Sequence, residues 1–257
     1  MRDWITGRNP VYEVLRANRR DVFRLLVAEG AQEKGRLVDI TLLAKQKKVP
    51  VERVPRSQLD RLSQVNQGVA LESDKYPYAN LQDILDLASS RQEAPFLLIL
   101  DTLQDPQNLG TLLRTGEAVG IHGVLLPLRH SATVTPAVVN ASSGASEHLL
   151  IAQGNLAQGI ESLKEAGVWI VGLEGDPHAE YPDRVHLDGA LALVVGNEAE
   201  GMRRLVRESC DVLLQLPMKG KVASLNAAVA GSVALYLAWQ ARGFSPGTMP
   251  AGRRQTY

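Results

Sequence analysis

Three short polar segments of this chain have residue types and spacing that could support chemistry. One contains Asn108 and Arg114, six residues apart, with the small residue Gly110 between them. Another reads GNEAEG over residues 196–201, and the last covers 217–226, where a loop with proline and glycine leads into an alanine-rich stretch. Each segment follows an apolar strand pattern or begins a helical one, so all three are candidate functional segments.

The segment at 196–201 stands out because it interrupts an apolar run. Residues 191–195 read LALVV, which is typical of a strand buried on both faces, and Glu198 and Glu200 follow it closely. Ligands of α/β domains bind beyond the C-terminal ends of such strands, which favours a functional role for the carboxylates. The alternative is structural, since Asn197 or Glu198 could satisfy the free N–H groups of a following helix.

Ordinary structural roles are also available for the other candidates. Asn108 and Ser224 could cap helices, Arg114 could form a surface ion pair, and the small residues after Asn226 could allow close helix packing. For each residue alone the structural role is the simpler one. The occurrence of all three segments in one predicted domain favours function instead.

The sequence excludes several common nucleotide and metal chemistries. No two glycines are separated by a single residue, so G-x-G-x-x-G is absent, as is the P-loop motif G-x-x-x-x-G-K-[ST]. The five histidines never occur at metal-helix spacing with a matching carboxylate, and Cys210 is the only cysteine, so no metal site is expected. The nucleophile elbow G-x-S-x-G is missing as well.

Two successive α/β patterns must position these segments. In the first 75 residues, helical spacing over 9–18 and 33–48 alternates with strand patterns over 23–28 and 68–71. A longer alternation then predicts strands at 96–100, 123–126, 168–171, 191–195 and 212–216, and helices at 109–119, 156–166, 201–208 and 225–242. Apolar strands separated by helices predict an α/β fold with a mostly parallel sheet covered on both faces.

The same patterns divide the chain into two domains. We predict a small α/β domain over 1–74, a linker over 75–94 that includes a short helix at 81–90, and a larger domain over 95–243. The tail over 244–257 is rich in Gly, Pro and Arg and has no periodicity, so it is predicted to be disordered.

Composition indicates the cellular setting and a class of partner. The 257 residues include no apolar run near the roughly 20 residues of a membrane span and no signal peptide, and the single cysteine fits a reducing cytoplasm. Residues 1–75 carry 15 Lys and Arg against 10 Asp and Glu, whereas the rest of the chain carries 13 against 18. This asymmetry favours nucleic acid bound mainly by the first domain, although a solvated charged surface also explains so small an excess.

Together the three segments resemble the signature motifs of the SPOUT superfamily, in its branch of RNA ribose 2′-O-methyltransferases. The family patterns N-x-G-x-x-x-R, G-N-E-x-x-G and P-M-x-x-x-x-x-S-L-N match residues 108–114, 196–201 and 217–226 in order and spacing. Residues 5–11 and 66–69 are similar to the opening and closing patterns of the family's small RNA-binding domain. The resemblance is strongest to bacterial enzymes that methylate a guanosine ribose in 23S rRNA, except that Asn66 stands where those relatives commonly carry histidine.

This resemblance implies a fold, a cofactor and an assembly. The fold would be a C-terminal SPOUT sheet domain tied in a trefoil knot, with a small N-terminal α/β RNA-binding domain. S-adenosylmethionine has no phosphates and would bind bent between three loops, held largely by backbone groups. The residues implied at this pocket are Leu173, Gly196, Leu216, Met218, Ser224 and Leu225. Family members are homodimers with the active site at the interface, so the small-residue helix after Asn226 would pack against a partner.

The resemblance also implies roles for individual residues. The catalytic group would be Asn108, Arg114, Glu198 and Asn226, with Arg114 reaching in from the other subunit. A ribose 2′-hydroxyl would attack the sulfonium methyl in line, and S-adenosylhomocysteine would leave. Because a guanidinium rarely releases its proton in a protein, Arg114 is expected to hold the adjacent phosphate, and Glu198 is a candidate proton acceptor. Arg8 and Arg114 are the expected RNA contacts.

Two other functions are compatible with the sequence. Shorter relatives with the same three motifs methylate transfer RNA, and the dedicated N-terminal module argues against that substrate without excluding it. A non-catalytic RNA-binding dimer would use the basic module for affinity and the second domain as a scaffold, but it would leave the motif residues without a purpose.

Overall fold

A computed structural model describes residues 2–129, 131–197, 200–222 and 224–244 of the chain. These residues form two sheets, one before residue 74 and one after residue 95. Among the described residues, no helix is both long and apolar enough to span a bilayer. Except for Phe244, the predicted tail over 244–257 lies outside the described residues, so its disorder stays a prediction.

The N-terminal sheet has four strands of mixed direction. Its domain contains, in chain order, β1 (Asp3–Thr6), α1 (Arg8–Ala17), β2 (Val22–Ala28), α2 (Arg36–Gln46), β3 (Val51–Val54), α3 (Arg56–Leu62) and β4 (Val69–Ser73). The strand order is β1-β4-β2-β3, with β2 and β3 parallel and β4 antiparallel to both of its neighbours. Apolar side chains of α1 and α2 cover one face and Leu59 of α3 covers part of the other, which gives the compact α/β unit that the sequence predicts.

The C-terminal sheet has six strands, and every neighbouring pair is parallel. Its elements are α4 (Leu81–Ser90), β5 (Phe96–Leu100), α5 (Pro106–Ala118), β6 (Gly123–Pro127), α6 (Pro136–Ala141), β7 (Leu150–Gly154), α7 (Leu156–Glu165), β8 (Trp169–Leu173), β9 (Leu191–Val195), α8 (Arg204–Glu208), β10 (Val212–Leu214) and α9 (Ala227–Ala241). Short 3₁₀ helices lie at Ala145–His148 and Pro182–Arg184. The strand order is β10-β8-β9-β5-β6-β7, so the predicted α/β class with a parallel sheet is confirmed.

The two central strands, β5 and β9, are buried along their whole length. In β5 the side chains at 96, 98 and 100 join the cluster that contains α5 and α9, whereas those at 97 and 99 join the cluster that contains α7. Burial on both faces removes any need for polar alternation. It explains why both strands have the bounds that their continuous apolar runs predict.

Three predicted elements beside the candidate segments are shorter in the structure than predicted. The helix predicted over 201–208 begins at Arg204, because Gly201 has a φ of +69° and the N-cap Arg203 has a ψ of 146°, both outside the right-handed helical region. The strand predicted over 212–216 ends at Leu214, so Leu216 lies in the following loop. The helix predicted from residue 225 begins at Ala227, because Asn226 is its N-cap.

A buried ion pair joins the two domains in addition to the chain itself. Arg20 donates from Nε and Nη2 to the two carboxylate oxygens of Glu147, over 2.9 and 2.7 Å, and the side chains are 0% and 1% exposed. Arg20 also donates to the carbonyl of Asp74, and the hydroxyl of Tyr76 donates to the carbonyl of Leu149 over 2.6 Å. Paired hydrogen bonds of this kind are directional, so the contact specifies one relative orientation of the domains.

Candidate active site

Three strands of the C-terminal sheet end in register at one edge. Leu173, the last residue of β8, pairs with Val195 of β9 and with Leu214 of β10. Because these strands are parallel, the segments that follow them leave from the same edge of the sheet. The structure therefore brings together the three segments that contain the predicted cofactor residues, which are Leu173, Gly196, Leu216, Met218, Ser224 and Leu225.

The loop after β9 is closed by its own backbone. Asn197 and Gly201 exchange two N–H···O bonds of 3.0 and 2.9 Å, and the Asn197 amide donates to the carbonyl of Thr102 over 3.1 Å. A Cβ on Gly196 would lie 2.4 Å from backbone atoms of Gly201 and of the next residue, a space that no side chain can occupy. Gly196 is therefore required by the turn itself, which is a reason separate from the predicted close approach of a cofactor.

The proton acceptor predicted in this loop, Glu198, lies outside the described residues. Glu200 is described, and it is exposed in the turn before Gly201. Neither observation tests the catalytic role predicted for Glu198, which stays a prediction.

Asp101 is a buried positioning residue that sequence reasoning missed. It follows β5 directly, its side chain is fully buried, and it accepts hydrogen bonds from the backbone N–H and the Nε of Arg203, each over 2.7 Å. Arg203 is the N-cap of α8, so an acid from a neighbouring strand anchors the start of this helix. The available signal was an acid directly after an apolar strand, the same signal that drew attention to residues 198 and 200.

Loss of the Asp101 carboxylate should destabilise the loop that precedes α8. We expect Asp101→Ala to lower the free energy of unfolding by about 2–4 kcal/mol, because the Arg203 N–H loses its buried acceptor. Asp101→Asn keeps one acceptor oxygen and should lose roughly half as much. Urea titration of both variants measures the difference, and an Asp101→Ala value within about 0.5 kcal/mol of the wild type would contradict this role.

Asn108 and Asn226 meet where α5 and α9 begin. The Nδ2 of Asn226 donates to the Oδ1 of Asn108 over 3.2 Å. The Oδ1 of Asn226 accepts the N–H groups of residues 228 and 229, while the N-cap of α5 is Asp105. The capping roles considered for Asn108 and Ser224 therefore belong to Asp105 and Asn226, and the amide pair links the first motif to the third.

Arg114 lies on a different side of α5 from this amide pair. Six residues of α-helix turn through about 600° and advance by about 9 Å, so Asn108 and Arg114 do not share a helix face. The Nη1 of exposed Arg114 donates to the Oγ of Ser143 over 3.3 Å, in the turn after α6. The structure brings Asn108 together with Asn226, and its described contacts do not bring Arg114 to them within one chain.

Apolar side chains of the loop between β10 and α9 are open to solvent. Met218, Val222 and Leu225 are 42%, 67% and 39% exposed, and Leu216 is partly buried. Ser224 is exposed in the same loop. Exposed apolar groups that cluster in this way mark a surface for a ligand or a partner.

Arg8, the predicted RNA contact, lies beside the loop that leads into β4. Its backbone N–H donates to the Oε1 of Gln67 over 2.8 Å, and its Nε donates to the Gln67 carbonyl over 3.3 Å. Asn66 is buried, and its side chain bonds to the carboxylate of Asp60 and to the N–H of Gly68. The residue that departs from the family pattern thus shapes this loop from inside.

The motif residues offer two kinds of chemistry, orientation of bound groups at the sheet edge and, from Arg114 on another side of α5, stabilisation of charge. The Asn108–Asn226 pair offers amide donors and acceptors, and the guanidinium of Arg114 offers a cation that can hold a phosphate through paired hydrogen bonds. An in-line displacement between two bound groups depends mainly on such positioning.

Two family models match the chain and together extend over both sheets. The model of the SpoU rRNA methylase family matches residues 95–236. The model described as RNA 2′-O ribose methyltransferase substrate binding matches residues 4–79.

Similar proteins share this length and arrangement. YacO of Bacillus subtilis, assigned by name to the TrmH family of tRNA/rRNA methyltransferases, is 41% identical over 244 residues, which cover 93% of this chain and 96% of that protein. The structure of the SpoU methyltransferase AviRb from Streptomyces viridochromogenes with AdoMet has 23% identity and a TM-score of 0.74, over 93% of this chain and 90% of that one. An AdoMet-bound rRNA methyltransferase from Sinorhizobium meliloti has 22% identity and a TM-score of 0.77, over 93% and 87%. At such identities the solved structures establish likeness of fold.

Proposed function

Because this chain belongs to the SpoU rRNA methylase family, it is an RNA 2′-O-ribose methyltransferase, and we propose that its substrate is a guanosine ribose of 23S rRNA. The proposal is carried by the substrate-binding domain matched at 4–79, joined to a sheet edge where three motif-bearing segments meet. The resemblance of the sequence motifs to two-domain enzymes that act on that RNA supports the proposal. A cytoplasmic location, which the single Cys210 favours, is part of the proposal.

S-adenosylmethionine fits the residues present at this edge. Leu216, Met218 and Leu225 offer apolar surface for its adenine and thioether parts, and the closed loop at 196–203 offers backbone groups. The carboxylate of Glu174 borders the same loop through its Oε1, which lies 3.6 Å from the position that a Cβ on Gly201 would take. When bound, the cofactor would supply a methyl group activated by the sulfonium.

The chain's own residues would orient the ribose and its phosphate. In this proposal Arg114 binds the phosphate next to the reacting ribose, and its charge lowers the pKa of the 2′-hydroxyl. The amide pair of Asn108 and Asn226 fixes the position of the reacting groups, and Glu198 accepts the proton directly or through water.

The proposal includes a homodimer with the active site at its interface. Val229, Val233 and Tyr236 of α9 are 48%, 41% and 47% exposed, and their spacing puts them on one side of the helix. An apolar helix face of this kind is typical of an interaction surface. In such a dimer the second copy would supply its Arg114 to the site that contains Asn108, because Arg114 of the same chain bonds to Ser143 instead.

A map of ribose methylation tests the substrate. Total RNA from cells with and without this protein is compared for 2′-O-methylation, and we expect one guanosine of 23S rRNA to lose its methyl group almost completely. Expression of the wild type should restore the mark, whereas expression of the matched variant Arg114→Ala should not. Loss of a mark in tRNA, with 23S rRNA unchanged, would overturn the proposed substrate in favour of the tRNA alternative.

A further inference from the structure

The carboxylate of Glu174 lies at the edge where the three loops meet. Glu174 is the first residue after β8, and its backbone N–H donates to the carbonyl of Leu214 in β10 over 3.0 Å. Its Oε1 is 3.6 Å from the position that a Cβ on Gly201 would take, so the carboxylate borders the backbone of the loop after β9. Glu174 therefore follows β8 directly and lies next to both β10 and the loop after β9.

One oxygen of this carboxylate is buried and accepts no hydrogen bond within the described part of the chain. The Oε2 lies 3.2 Å from the Nε of Arg207, at ion-pair distance but without the alignment of a hydrogen bond. The side chain as a whole remains 25% exposed, so a ligand can approach it. Because Oε2 is buried against Arg207, the oxygen that a ligand can reach is Oε1, beside Gly201. It accepts no hydrogen bond from a described residue, and since polar atoms in such places usually have a partner, it favours a donor supplied by a ligand.

Arg207 determines which kind of donor suits this carboxylate. Its Nη2 binds the Oδ2 of Asp176 over 2.5 Å, which anchors the guanidinium beside Glu174. An ionised carboxylate can only accept hydrogen bonds, so its ligand must donate them. A guanidinium this close repels a second cation, which makes a neutral hydroxyl a better donor than an ammonium group.

We propose that Glu174 binds the ribose hydroxyls of S-adenosylmethionine, an inference that rests on the proposed function. The ribose diol presents two neutral O–H donors, whereas the amino-acid end of the cofactor presents a cation. Dinucleotide-binding folds use the same chemistry, with an acidic side chain that accepts from ribose hydroxyls. In this chain the acidic side chain comes from the loop after β8, and the glycine motif of those folds is absent from the sequence.

Binding measurements without RNA or methyl transfer test the proposal. The probes are S-adenosylhomocysteine and its 2′-deoxy and 3′-deoxy ribose analogues, titrated calorimetrically into the full-length protein. The wild type should bind S-adenosylhomocysteine about 10- to 100-fold more tightly than at least one deoxy analogue, the range for a hydrogen bond to a charged group. Glu174→Ala should lose a similar factor for S-adenosylhomocysteine and should bind that analogue almost as tightly as the parent compound.

Asp176→Asn is the matched control, because it removes the other carboxylate that binds Arg207. Asp176 accepts a hydrogen bond from the backbone N–H of His178, which holds the pKa of its carboxyl below the usual range. We expect Asp176→Asn to keep the wild-type preference for the ribose hydroxyls. This result would separate Glu174 from a general effect of disturbing the arginine.

Two outcomes would overturn the proposal. In one, Glu174→Ala keeps the wild-type preference for S-adenosylhomocysteine over both deoxy analogues. In the other, it loses affinity for S-adenosylhomocysteine but not for 5′-methylthioadenosine, which keeps the ribose and lacks the amino acid. Failure of the wild type to bind any of these compounds would instead overturn the proposed function.

Discussion

Replacement of Arg114 by alanine should lower the rate of methyl transfer to RNA by about 10³-fold and leave the affinity for S-adenosylmethionine unchanged. The rate falls because the variant loses the cation that stabilises negative charge on the reacting hydroxyl. Cofactor affinity persists because Arg114 is exposed on α5 and bonds to Ser143, away from the three loops at the sheet edge. Single-turnover transfer of labelled methyl measures the first quantity, and calorimetry measures the second.

Two further variants test whether the loss of rate is specific to the guanidinium of Arg114. Arg114→Lys keeps the charge but loses the planar fork of donors, so its rate should be intermediate. Arg204→Ala removes another arginine, 83% exposed on α8, and should transfer methyl at the wild-type rate. Robust transfer by Arg114→Ala would remove this residue from the mechanism.

A mixture of inactive variants tests whether Arg114 acts across a dimer. Asn226→Ala should also be inactive, since it breaks the amide pair with Asn108 and removes the cap of α9. If arginine and asparagine come from different chains, one site of each mixed dimer is intact, and randomly mixed chains should recover about a quarter of the wild-type activity. Absence of recovery in verified mixed dimers would show that each site uses its own arginine.

Breaking the ion pair between the domains should have the largest effect on stability. Arg20→Ala leaves the carboxylate of Glu147, which is 1% exposed, without its guanidinium. We expect the free energy of unfolding to fall by about 3–5 kcal/mol, since an unpaired charge is left inside the protein. The double variant Arg20→Met with Glu147→Leu should regain most of that loss, because apolar residues of similar volume replace both charges. Urea titration of the single and double variants measures both changes.

An exposed arginine of the same domain is the control for this experiment. Arg24 pairs with Glu72 over 2.8 Å, but its side chain is 40% exposed. Arg24→Ala should therefore cost no more than about 1 kcal/mol. If Arg20→Ala cost as little as Arg24→Ala, the buried pair would not hold the domains together.

The sequence predicts well those elements in which the pattern of apolar residues matches the pattern of buried positions. β5 and β9 are buried on both faces, so their continuous apolar runs give the right bounds. The long helix α9 and the helix at 81–90 are likewise visible from spacing. Short elements such as β3, whose first three residues are exposed, carry too little apolar pattern to be recognised.

The candidate site was predictable to the extent that its residues lie within local motifs. The convergence of the loops at Leu173, Val195 and Leu214 follows from parallel strands, but the strand order that makes these residues neighbours depends on tertiary packing. The contact of Asp101 with Arg203 joins positions 102 residues apart, and no local spacing predicts it. Helix geometry could have shown that Asn108 and Arg114 point in different directions, since six residues do not complete a whole number of turns.

The pair of Arg20 and Glu147 spans 127 positions, and that span has a consequence for synthesis. A ribosome adds about 5–20 residues per second, so roughly 6–25 s pass between the appearance of the two charges. In the later part of this interval, after Ser73 has been added, the N-terminal sheet has all its strands but no partner domain. The surface that will later contact the second domain carries Arg20, Asp3 and Glu13, and Glu13 bonds to His148 of that domain. These charges favour hydration of that surface, so we expect them to oppose association of the nascent domain with neighbouring nascent chains until the second domain is made.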